Sequence, residues 1–77
     1  MQLIKLVWEF RGIDSNEMAK HHSIHLKEFI EKGKTEYNSG FEIIETDFAI
    51  AFLIIPKEEM KVFRDKLRPH SAFLFDN

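Results

Sequence analysis

FEIIETDFAIAFLII, residues 41–55, decides the fold. Its two halves, FEIIE and FAIAFLII, are short, apolar and rich in isoleucine and phenylalanine, the signature of strands. Only Thr46 and Asp47 separate them, so they read as a tight hairpin. The second half is apolar on both faces: Phe48, Ile50, Phe52 and Ile54 alternate with Ala49, Ala51, Leu53 and Ile55. A strand with one face in the core and one in water should alternate with polar residues. This strand therefore needs a cover on each side. Small Ala49 and Ala51 suit close approach by a second sheet or a ligand, which places them on the face away from the helices.

Upstream, residues 2–11 alternate strictly. Ile4, Leu6, Trp8 and Phe10 share one face; Lys5, Glu9 and Arg11 share the other with Leu3 and Val7. Period two predicts a half-buried strand, ended by Gly12. GIDSNEM then carries the marks of a helix start: Asp14 as N-cap, Glu17 three residues on as in a capping box, and Ile13 with Met18 as a hydrophobic staple. The helix runs to about Lys32 and stops at Gly33, with Lys27, Lys32 and Lys34 complementing its dipole. TEYNSG, residues 35–40, reads as a turn.

Downstream, Pro56 suits the first position of a second helix. Glu58 and Glu59 fall in its first turn, Met60, Phe63 and Leu67 form a narrow apolar stripe, and Arg64, Lys66 and Arg68 fill the last turn. Pro69 stops it, and SAFLF closes the chain as a strand.

Composition limits what such a chain does. Seventy-seven residues make one domain, 1–77, and a domain of this size buries roughly 60–65% of its unfolded surface. With no cysteine, thiolate catalysis, disulfides and zinc ribbons are excluded. Eight Phe and one Trp argue for a real core and against disorder. The net charge of -2, from 11 basic and 13 acidic residues, is interspersed and lacks the basic footprint of a nucleic-acid or membrane binder. MQLIKLVWEF has no small-residue cleavage site and so is not read as a signal peptide. FAIAFLIIP is too short to span a bilayer. The expected compartment is cytoplasmic.

The order strand, helix, strand, strand, helix, strand resembles the ferredoxin-like α+β sandwich, a four-stranded antiparallel sheet with two helices on one face. The resemblance covers the whole chain at the level of topology. Its familiar uses find little support in the residues. RNA-recognition motifs carry a basic residue, a glycine and spaced aromatics on the third strand; here Asp47 stands at the glycine, and Ile50 and Leu53 occupy aromatic sites. Heavy-metal transport domains need paired cysteines. Acylphosphatases place a glycine-rich loop with an arginine after the first strand, where FRGIDSN offers only Arg11 and Gly12. What remains is the dimeric use of the fold, in which two sheets pack face to face as in dimeric α+β barrels. That implies a homodimer, with Lys5, Glu9 and Arg11 on the open sheet face as a small-molecule site. The same three also read as a solvated face with ordinary ion pairing.

MAKHHSIHLKEF, residues 18–29, holds three of the four histidines. On a wheel of about 100° per residue, Met18, Ala19, Leu26, Phe29 and Ile30 face the core. His22 falls among them, bonded to backbone or a carboxylate; His25 lies at the margin and His21 toward solvent. His21 and His25 have the four-residue spacing of a helical ligand pair for zinc or nickel. The zinc-protease motif fails because His22 stands where its glutamate belongs. Glu17, Glu28 and His70 are candidate third ligands, although parallel helices would leave His70 near Gly33, about 10 Å beyond His25. His22 and His25 are the candidates for general acid or base work. Ile24 is a stray apolar residue on the outer side. The leading expectation is a non-catalytic ligand-binding or regulatory homodimer without a resident cofactor. The alternative is a metal-binding protein or small enzyme using His21, His22 and His25.

Overall fold

The computed structural model describes residues 2–30 and 37–75. Its elements are β1 (Leu3–Arg11), α1 (Ser15–Ile30), β2 (Asn38–Glu45), β3 (Phe48–Pro56), α2 (Met60–Leu67) and β4 (Ser71–Phe75), with a short 3-10 turn at Lys57–Glu59. The strands form one antiparallel sheet in the spatial order β2-β3-β1-β4. This is a small α+β fold with both helices on one face of the sheet, since Leu26 of α1 and Phe63 of α2 join the same core.

Strand register decides which face is which, because residues directly opposite one another point the same way. Leu6 stands opposite Leu53, and Trp8 opposite Ala51. Ile4, Leu6 and Trp8 therefore share the helix-side core with Ala51, Leu53 and Ile55. Ala49 and Ala51 are fully buried beneath the helices rather than open to a second sheet. The expected face assignment of β3 is thus reversed. Both faces of this strand are apolar, so its own composition carries no parity, and only pairing with alternating β1 sets it.

The alanines answer small residues on α1. Ser15, Ala19 and Ser23 are buried along one side of the helix, which packs chiefly on β3 and β2. The Ser23 hydroxyl donates to the Lys20 carbonyl at 2.7 Å, so its burial costs no open bond. Small side chains on both surfaces let the helix sit close to the sheet.

The opposite face carries Leu3, Lys5, Val7, Glu9 and Arg11 of β1, opposite Phe48, Ile50, Phe52 and Ile54 of β3. Gly40 of β2 makes room there. A Cβ at this position would come 2.9 Å from the tip of the Phe52 ring, so a side chain here would push that ring aside.

Several boundaries follow the expectation and several do not. Thr46 and Asp47 form the turn between β2 and β3. Gly12, at φ 111°, ends β1 and donates its N–H to the Asp47 carbonyl at 2.9 Å. Asn38, Ser39 and Gly40, read as turn, instead pair with Ile54, Leu53 and Phe52. Pro56 ends β3 opposite Leu3 and does not open α2. Arg68 takes a left-handed conformation at φ 49° and bonds back to the Arg64 carbonyl, closing α2 before Pro69. At the start of α1 the Asp14 carbonyl accepts from Met18 at 2.9 Å. The hydrophobic staple does not form, since Ile13 is 91% exposed. Gly33, Lys32 and Lys34 lie outside the described residues. Among the described residues no helix is long and apolar enough to cross a membrane.

Candidate functional site

β1 and β3 run antiparallel, and each leads into a helix that doubles back across the sheet. The two helices are therefore antiparallel to each other, not parallel. Phe63 of α2 meets Phe29 near the far end of α1, ring to ring at 5.6 Å, while Leu67 at the end of α2 accepts the indole N–H of Trp8 at 2.9 Å. α1 has 16 residues and α2 only eight, or about 24 Å against about 12 Å. Beyond the end of the shorter helix lies an open groove of about 580 Å³. Phe10, Met18 and Ile24 supply its apolar lining, and His21, His22 and His25 its imidazoles; Glu17 and Lys20 also border it.

His22 is the inner histidine, as the helical wheel requires, but its partners are aromatic. Its ring packs against Trp8 at 5.0 Å and Phe10 at 5.6 Å. Its Nε2 is buried and makes no hydrogen bond among the described residues, so the expected backbone or carboxylate partner is not what holds it. Burial, followed by repulsion from His25 and then from His70, pushes the imidazole below its ordinary value.

His70 was misplaced by the parallel-helix expectation. It sits beside β1, donating its backbone N–H to the Val7 carbonyl at 2.8 Å. Its Nδ1 accepts the Glu9 N–H at 2.7 Å. The ring thus continues the β1–β4 ladder one step past Ser71, standing where a strand carbonyl would be. Trp8 and Phe10, which pack against His22, are the site residues that the sequence reading missed, while His70, weighed as a third ligand, lies instead against β1. The signal was available in the chain order, which makes the helices antiparallel and brings the end of α2 toward the start of α1.

The lowered His22 pKa has a testable sign. Below its ordinary value, about 6.5, the unfolded chain takes up a proton at His22 that the folded chain refuses until a lower pH. Stability is then full above that value and falls as the pH drops through it toward the folded pKa. Urea midpoints between pH 7.5 and 5 should decline less steeply in His22→Leu than in the parent. Equal slopes would refute this assignment.

His21 and His25 are both exposed on the outer side of α1. Their Nε2 atoms lie 3.0 Å apart, and Glu28 stands 3.8 Å from His25 Nδ1. Among the described residues no group of three or more His, Asp or Glu is arranged to hold a metal, so neither Glu17, Glu28 nor His70 completes that pair. No carboxylate among the described residues pairs with His22 either.

On the open sheet face, Lys5 bonds Glu42 at 3.3 Å and lies 4.7 Å over the Phe52 ring. Arg11 pairs with Glu9 at 3.7 Å and lies 4.0 Å over the Phe48 ring. Glu9 and Arg11 are brought together, but a strand rise of about 3.3 Å per residue leaves Lys5 about 20 Å from Arg11. The three do not converge on one point. Compared with protein-family models, with curated proteins and with solved structures, the chain matches none.

Proposed function

We propose that this chain is a ferredoxin-like, non-catalytic binding domain that self-associates by closing two open sheet faces on each other. The observation that carries the reading is that face itself. Phe48, Ile50 and Phe52 are half-buried at its centre, and Phe73 on β4, opposite Lys5, is 55% exposed. The helices cover only the other side.

Its charges fit a two-fold interface. Such an interface sets a patch against itself, so a strongly charged patch would repel its copy. Here Lys5 and Arg11 stand against Glu9 and Glu42 and are already paired within one chain. Enclosure between sheets then finds Lys5, Glu9, Arg11 and Glu42 already paired, with Glu45 at the edge of the face opposite Phe48. A small polar ligand bound between the sheets would meet Glu9 and Arg11, which lie together at one end of β1, while Lys5 toward the other end forms a separate charged pair with Glu42. The absence of cysteine and the interspersed charge support a cytoplasmic setting.

Two substitutions test the reading without threatening the single chain. Ile50 lies between Glu9 and Glu42 across neighbouring strands, so Ile50→Lys gains opposite-charge neighbours. Phe73→Glu likewise gains Lys5. The parent should elute in light scattering with twice the 9.2 kDa chain mass. Each variant should shift toward monomer with unchanged far-UV dichroism. A monomeric parent at high micromolar concentration would sink the proposal.

A further inference from the structure

The histidine pair on α1 faces away from the sheet and has a geometry of its own. His21 and His25 meet edge-on, ring centroids 4.6 Å apart, with their Nε2 atoms 3.0 Å apart. Two imidazole nitrogens about 2.1 Å from a shared ion and 3.0 Å from each other subtend about 90° at it. A tetrahedral ion would spread them to about 3.4 Å. Right-angle neighbours are adjacent positions of a tetragonal or octahedral ion, the preference of copper(II) and nickel(II) more than of zinc.

We propose that His21 and His25 form a two-imidazole chelate for a divalent copper or nickel ion, with copper bound more tightly, and with water completing the coordination. The helix fixes the four-residue spacing, so the second imidazole is already in place when the first one binds. Both rings are exposed, and no packing has to open. Each imidazole offers its Nε2 lone pair to the ion when its own proton sits on Nδ1, and the Glu28 carboxylate, 3.8 Å from His25 Nδ1, favours that tautomer at His25. In the metal-free chain the two Nε2 atoms share one hydrogen. The ion takes its place, and the His21 proton moves to its own Nδ1. Glu17 and Lys20 on the same groove offset each other in charge. The site stands on the opposite side of the domain from the open sheet face and does not depend on self-association.

The test is calorimetric titration of the untagged full chain with copper(II), nickel(II) and zinc(II) salts, with electron paramagnetic resonance of the copper form. One copper per chain should bind, more tightly than nickel or zinc, with a two-nitrogen signal. His21→Gln or His25→Gln removes the chelate advantage and should weaken copper binding by about a hundredfold. His22→Leu keeps both ligands and should bind as the parent does. The proposal is overturned if the parent binds no copper, if zinc binds more tightly, or if His22→Leu loses the ion. Unchanged uptake in a His21→Gln, His25→Gln double variant would overturn it too.

Discussion

Replacing Trp8 with alanine is expected to cost about 3–5 kcal/mol of stability. A 77-residue domain has only about 4–12 kcal/mol in total, so the variant should be largely unfolded in moderate urea. Trp8 acts at three places. It is 4% exposed in the core, it donates its indole N–H to the Leu67 carbonyl, and it packs against the ring of His22. The second of these secures α2, an eight-residue helix with Phe63 as its buried anchor. A helix so short has little stability of its own; it is held by its packing and its ends. Trp8→Phe separates the contributions. It keeps most of the apolar area and leaves the Leu67 carbonyl short of a donor, a loss of about 1–3 kcal/mol. Urea denaturation should rank the parent above Trp8→Phe and Trp8→Phe above Trp8→Ala. A Trp8→Ala midpoint equal to the parent's would show that this side chain does not join sheet to helices.

The elements that the sequence made legible are those whose pattern is self-sufficient. β1 alternates polar and apolar residues, so period and face both follow from it. α1 announces its start, and Ala19 and Leu26 are buried as expected, but Met18 and Phe29 stay exposed while Ser15 and Ser23 are buried in the stripe against the sheet. Ile13 is left in solvent, and the capping pattern around it only marks the position. β2 was half legible: Asn38, Ser39 and Gly40 have strong turn preference, and pairing with β3 overrides it. Gly40 leaves the space in which the Phe52 ring lies, a contact invisible until the two are opposed. The histidines separated along the helix as their spacing requires. What surrounds them did not follow from spacing, because Trp8, Phe10 and His70 come from other elements, and only the direction of α2 relative to α1 brings them in.

The face of β3 was the costliest misreading, and neighbouring residues on that strand test it. Leu53→Ala should lose about 2–5 kcal/mol, because Leu53 is fully buried opposite Leu6 beneath the helices. At about 4–8 °C per kcal/mol for a domain of this size, its melting temperature should fall by about 8–40 °C. Three residues back, Ile50 is half-buried on the open face, so Ile50→Ala removes less enclosed surface and should cost about 1 kcal/mol or less in the monomer. The contrast carries the argument: the two substitutions are chemically alike, and parity alone separates them. Were Ala49 and Ala51 on the open side, Ile50 would be the core residue and the order of losses would invert. Thermal melts of both variants under monomeric conditions decide between these arrangements. The same outcome fixes which surface a second copy would meet, since Phe48, Ile50 and Phe52 can form an interface only if Leu53 lies behind them.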